Sequence, residues 1–321
     1  MKKFLPQRLL AVSLLLSLAG CIPPFNQDDP QSFSEPLREF EVDKIRYVAS
    51  GDPLKPLVFL LHGTPGSWHA FRHILEDEQL QNRAHLVAPD RPGFGASRAA
   101  GLAASFQDQV ALLKPALDRN QSGLRAVVVG HSLGGSIAYR YAIDAPDQVG
   151  GIVVISSNID PALGQPRWFN RLASLPGADW LLPNQLLLAN REIEPLRAEL
   201  ETMENELSKI TAMITVLHGA EDRLVSVDNL DYLERKLGTE LDAKPDTNLV
   251  TNLVTNLGTN LDNKLGADLG ADLARKQTYQ LIREEAQGHF LIWERPDLVR
   301  QAILQQLAAL VHAEQEQAQS H

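Results

Sequence analysis

Cysteine is nearly missing from this 321-residue chain: the single one, Cys21, can neither close an internal disulfide nor build a cysteine-based zinc site. Basic charge is also scarce. Thirty Lys and Arg face 40 Asp and Glu, a formal charge of −10, and no run of clustered Lys and Arg appears. A phosphate-gripping surface needs a basic excess or a basic face, so nucleic acid is not an expected partner. A membrane-crossing run is absent as well at the amino end. The apolar stretch from Leu9 to Ala19 stops at Gly20, short of the roughly 20 residues a transmembrane helix wants. What remains is ordinary globular stock. With 44% apolar residues the chain can bury a sizeable core, which excludes a disordered protein, and its length allows one large domain or two small ones.

The amino end carries Lys2, Lys3 and Arg8 ahead of the apolar stretch, the layout of an export signal. An ordinary cleaved signal wants small residues at −1 and −3, and Leu18 would fill −3 if Gly20 were −1. The junction Leu18-Ala19-Gly20-Cys21 instead resembles the lipobox of bacterial lipoproteins, which implies acylation of Cys21 and a membrane partner through that anchor. Ile22, not Asp, follows the cysteine, which by the same resemblance points to the outer rather than the inner membrane of a bacterial cell envelope. Residues 1–20 are thus read as leader and 21–36, rich in Pro, Gln, Asp and Ser, as a tether.

From Arg38 onward, short apolar runs alternate with amphipathic stretches. Strands are predicted over Lys44 to Ala49, Leu57 to Leu61, His85 to Ala88, Arg125 to Val129, Gly151 to Ile155, Ala212 to Leu217 and Thr278 to Ile282. Several are solidly apolar, as buried parallel strands are. Helices are predicted over Trp68 to Glu78, Ser105 to Arg119, Leu133 to Ile143, Val227 to Leu237 and Pro296 to His312. The alternation predicts an α/β fold with a doubly wound, mostly parallel sheet, whose ligands sit at the carboxyl ends of strands. Residues 37–157 and 208–316 form the two parts of this core. Between them, 158–207 carries five prolines with Trp168, Phe169, Trp180 and Leu186 to Leu188, and reads as a small helical lid. Within 244–276, leucine recurs every fourth residue from Leu249 to Leu273. On a helix that stripe drifts by about 40° per step, and the Asn, Thr and Gly content opposes helix too. The segment reads as a poorly ordered surface insert, with helix or strand left open, and carries no expected chemistry.

Gly130-His131-Ser132-Leu133-Gly134 matches G-x-S-x-G, a string that chance alone puts in roughly one chain of this length in ten. Its placement is more specific: it ends an apolar strand and opens a helical pattern, the context in which a serine projects from a tight turn. With its partners it resembles the α/β-hydrolase superfamily. His62-Gly63-Thr64-Pro65-Gly66 is similar to that family's HGxPG oxyanion loop, and Asp90 to Ser97 to its D-x-x-G-x-G-x-S structural turn. Gly219-Ala220-Glu221-Asp222 stands where the family keeps its acid, and Gly288-His289-Phe290 where it keeps its histidine. The resemblance runs from about Arg38 to His312 and implies an α/β-hydrolase fold with Ser132 as nucleophile, His289 as base and Asp222 as the acid that orients it. Glu221 is a competing acid, which the family's G-x-x-D spacing disfavours. The oxyanion donors implied are the N–H groups of Leu133 and Thr64, since Pro65 has none. His62, His131 and His218 each follow a strand without a ligand pattern beside them, so no metal and no cofactor is expected, and they read as turn residues.

The expectation is a serine esterase acting on small or medium apolar esters. Serine at the elbow argues against relatives of epoxide hydrolases and haloalkane dehalogenases, which carry Asp there. A proline iminopeptidase-like aminopeptidase, or a non-catalytic lipoprotein using the fold to bind, are the alternatives. The lid's apolar residues either face a hydrophobic substrate group or pack the lid on the core.

Overall fold

The solidly apolar runs become the middle of one sheet. The computed structural model describes residues 37–236 and 279–319; the expected leader and tether, Cys21 and the leucine-repeat segment lie outside them. Eight strands among the described residues, β1 (Arg38–Val42), β2 (Ile45–Ser50), β3 (Leu57–Leu61), β4 (His85–Pro89), β5 (Ala126–His131), β6 (Val149–Ile155), β7 (Met213–Gly219) and β8 (Tyr279–Glu284), take the order β1-β2-β4-β3-β5-β6-β7-β8. The β1/β2 and β2/β4 pairs are antiparallel and the others parallel. β3, β5 and β6 are buried at every position. That is why they read as unbroken apolar runs: helices cover both faces.

The helices are α1 (Phe106–Leu117), α2 (Leu133–Asp144), α3 (Trp168–Ala173), α4 (Asn184–Ile193), α5 (Leu196–Glu204), α6 (Asp228–Lys236) and α7 (Pro296–Gln319), with shorter turns of helix elsewhere. α2 is buried from Leu133 through Ile143, with Tyr141 set edge-on to Phe59 of β3, the ring centroids 5.9 Å apart. The segment between β6 and β7 is helical and divides in two. α5 sinks Leu200 and Met203 into the same core as α2. α3 and the turn after it leave Trp180 and Leu181 at 90% and 85% exposure, so these residues do not pack the lid on the core.

Four departures from the expected elements stand out. β1 is an eighth strand that the charged alternation Arg-Glu-Phe-Glu-Val concealed, since only Phe40 and Val42 turn inward. Asp43 and Lys44, both at positive φ, form the two-residue hairpin to β2, so Lys44 belongs to the turn. The stretch from Trp68 to Glu78 is not one helix. Asp77 accepts from the Leu80 N–H at 3.1 Å and caps a separate turn, Glu78–Gln81, a local bond that competes with helix continuation. α7 runs past His312 because Ala, Glu and Gln there sustain helix.

Candidate active site

Strand order reverses direction at β3, which has β4 on one side and β5 on the other. In an open α/β sheet such a switch point opens a crevice at the carboxyl ends of the strands. The loop at His62 leaves the end of β3, and Ser132 leaves the end of β5. Asp222 follows β7 and His289 follows β8.

Ser132 sits at φ 53°, ψ −126°, a conformation side chains rarely adopt, between the last residue of β5 and the first of α2. Two glycines make this turn possible by close approach. A Cβ on Gly130 would lie 2.2 Å from the Gly134 carbonyl oxygen, and one on Gly134 would lie 2.1 Å from that of Leu61. The Ser132 N–H is tied to the Ile155 carbonyl at 2.9 Å, which joins the elbow to β6. Positive φ at a non-glycine residue is strain held by its surroundings, and such positions gather at functional sites.

Ser132 Oγ lies 3.1 Å from His289 Nε2, and His289 Nδ1 lies 2.8 Å from Asp222 Oδ2. An ionised carboxylate only accepts, so the imidazole proton sits on Nδ1 and leaves Nε2 bare toward the serine hydroxyl. Asp222 Oδ1 accepts from the Leu224 and Val225 N–H groups, each at 2.8 Å. Burial by itself pushes the Asp222 carboxyl up, but the neighbouring His218 and His289 imidazoles and the Val225 N–H outweigh it and hold the group below the usual carboxylate range. Glu221 is exposed, and the carboxylate that reaches the imidazole is that of Asp222.

The segments that carry the two expected oxyanion donors border the serine. Leu133 opens α2, where the first N–H groups of a helix have no intrahelical acceptor. Gly63 packs against the serine so closely that a Cβ there would lie 2.8 Å from Ser132 Cβ, which brings the start of the Gly63–Thr64 peptide beside Ser132. Cys21 lies outside the described residues.

The three strand-end histidines are more than turn residues. His131 Nε2 donates to the His289 carbonyl at 3.0 Å, and its ring lies 5.1 Å from that of His289 and 5.3 Å from that of Trp293. Burial, then the neighbouring His289, lowers its pKa to about 3, so it is a neutral donor at any working pH. His218 Nε2 donates to the Val225 carbonyl at 3.1 Å and lies 3.5 Å from Asp222 Oδ2. His62 Nε2 accepts from the Arg91 N–H at 2.9 Å, which places its proton on Nδ1, 2.7 Å from the Gly63 carbonyl. Sequence offered one signal for these roles, the recurrence of histidine at three strand ends, and no means of assigning their partners. Asp90 is structural: it is buried and accepts from the Trp68 and Ala96 N–H groups at 3.0 and 2.9 Å.

A family model for alpha/beta hydrolases matches residues 58–302. The chain belongs to the alpha/beta hydrolase family. This hydrolase is 35% identical to epoxide hydrolase 3 of Xenopus tropicalis over 116 residues, 36% of its own length and 31% of the relative's. It is 36% identical to a haloalkane dehalogenase of Bradyrhizobium diazoefficiens over 107 residues, 33% of each chain. The matched portion therefore spans about a third of these curated relatives. Among solved structures, the hydrolase shares its fold with a membrane phospholipase A described as a bacterial virulence factor (TM-score 0.53, 20% identity, 94% of this chain and 98% of that one). It also shares it with an epoxide hydrolase from Vigna radiata (TM-score 0.54, 14% identity, 85% and 98%).

Proposed function

We propose that this hydrolase is a serine esterase that cleaves small or medium apolar carboxylic esters through an acyl-enzyme. The observation that carries the reading is the relay Ser132 Oγ, His289 Nε2/Nδ1, Asp222 Oδ2, with spacings of 3.1 and 2.8 Å. Both fall within the reach a general base needs. Ser132 Oγ attacks the ester carbonyl as its proton passes to His289 Nε2. The imidazolium, stabilised by Asp222, returns that proton to the leaving alcohol. Water then attacks the acyl-enzyme by the same route, releasing the acid and restoring the serine. The N–H groups of Leu133 and Thr64 receive the developing oxyanion.

The similarity to epoxide hydrolases makes an epoxide the second substrate to weigh. A carboxylate that opens an epoxide leaves an ester, which water can cleave at its carbonyl. A serine would leave an ether with no carbonyl to attack, so Ser132 favours acyl transfer. Envelope anchoring belongs to the same proposal. The lipobox at Cys21 supports it, as does the exposed apolar set Trp168, Leu172, Leu175, Trp180 and Leu181 on the lid, an apolar face suited to an ester-bearing apolar phase.

A fluorophosphonate probe on purified protein tests the nucleophile, with Ser132→Ala as control; an unlabelled wild type would point to the binding-protein alternative. Nitrophenyl esters, prolyl amides and epoxides assayed side by side should show turnover of the esters, and turnover confined to either of the others would overturn the proposal. Fatty-acid labelling in a bacterial host should disappear in Cys21→Ser.

A further inference from the structure

One buried ion pair is left unused by the mechanism above. Arg91, two residues past β4, and Glu192, on α4 in the segment between β6 and β7, both have fully buried side chains. The guanidinium places all five of its N–H bonds. Nε donates to the His62 carbonyl at 2.8 Å, Nη2 to the Gly63 carbonyl at 2.9 Å and to Glu192 Oε2 at 3.1 Å, and Nη1 to Gln109 Oε1 at 2.7 Å and Glu192 Oε1 at 2.6 Å. Gln109 closes the set by donating from Nε2 to Glu192 Oε1 at 2.7 Å. Buried ion pairs add little net stability, because desolvating two charges offsets their attraction. What this pair touches points to another role.

The Gly63 carbonyl receives Arg91 Nη2 and His62 Nδ1 together. The Gly63–Thr64 peptide is planar and trans, so its carbonyl and the Thr64 N–H point in opposite directions. Holding the carbonyl toward Arg91 and His62 therefore fixes the direction of the N–H. We propose that Glu192 and Arg91 are positioning residues: the lid carboxylate holds the guanidinium, the guanidinium holds the Gly63 carbonyl, and the Thr64 oxyanion donor is aimed only while α4 is seated. Lid and oxyanion hole are coupled through one hydrogen-bonded chain. The inference rests on the serine esterase reading.

The test is Arg91→Met with Glu192→Leu, because replacing a buried pair by apolar side chains of similar volume commonly leaves a fold intact. Near-UV circular dichroism checks folding. The readouts are kcat and KM on a nitrophenyl ester, and the inhibition constant of a trifluoromethyl ketone, whose adduct with Ser132 carries an oxyanion. Misaiming a donor by about 1 Å costs about a hundredfold in rate, so kcat should fall by about tenfold to a hundredfold with KM little changed, and ketone affinity should fall by the same factor. Glu192→Gln, nearly isosteric, carries the same expectation should the double variant fail to fold. A folded variant with wild-type kcat and ketone affinity overturns the proposal, as does a kcat loss without a ketone loss. Failure of both variants to fold would assign the pair to folding and overturn it too. Wild-type protein that neither labels with fluorophosphonate nor turns over esters would instead count against the esterase reading.

Discussion

Asp222→Asn is the sharpest probe of the proposed relay, because the surroundings dictate how the new amide would lie. Asp222 Oδ1 accepts two backbone N–H groups at 2.8 Å, from Leu224 and Val225. An amide nitrogen cannot accept them, so the asparagine oxygen must take that position and its NH2 must take the place of Oδ2, facing His289 Nδ1. A donor there forces Nδ1 to accept and moves the imidazole proton to Nε2, where it faces Ser132 Oγ and the base is lost. Loss of one charged hydrogen bond alone would be worth about 1.5 to 3 kcal/mol, roughly a tenfold to 150-fold drop. A reversed tautomer predicts about 10⁴-fold in kcat, or about 5.4 kcal/mol. Steady-state turnover of a nitrophenyl ester at neutral pH separates the two, with thermal unfolding to confirm that the variant is folded. A folded Asp222→Asn enzyme only tenfold slower than wild type would show that the amide does not lie as argued, or that Asp222 does not orient the base.

Two further outcomes follow from the geometry. Gly134→Ala would place a Cβ 2.1 Å from the Leu61 carbonyl oxygen, where real contacts stay beyond 3.0 Å, so α2 must shift by about 1 Å and carry Ser132 and Leu133 with it. Fluorophosphonate labelling should slow by about a hundredfold and stability should fall by about 1 to 3 kcal/mol; normal labelling would mean that the elbow tolerates the shift. Acid should destabilise the fold well above the carboxylate range. His131 is buried with its pKa lowered to about 3, whereas in the unfolded chain it titrates near 6.5, so the unfolded state binds more protons as pH drops between those values and stability falls with pH. His62, lowered by burial and by Arg91, acts in the same direction. Urea midpoints between pH 7 and pH 5 should decline, and His131→Phe should flatten the slope; an unchanged slope would place the acid sensitivity elsewhere.

Much of this molecule was legible because its decisive features are local. A strand, a tight turn and a helix start occupy consecutive residues around Ser132, so their chemistry follows from neighbours in the chain. The β1 strand escaped because its charged positions face water and its pairing with β2 follows from the hairpin at Asp43 and Lys44 rather than from apolarity. The break at Asp77 escaped because helical periodicity does not register a side chain that caps a new turn.

The order of residues alone carries the alternation that makes a parallel sheet, and it marks Ser132, Asp222, His289, Thr64 and Leu133 as candidates through motifs set at strand ends. The fold alone set which partners His62, His131, His218 and His289 hydrogen-bond, that Asp222 rather than Glu221 faces His289, and that His131 holds the His289 backbone. It alone joined Arg91 to Glu192, 101 residues away. The physical reason is that a motif fixes where a side chain leaves the backbone. What that side chain bonds to depends on which crossovers the sheet brings together, and directional hydrogen bonds over about 3 Å have no counterpart in linear spacing.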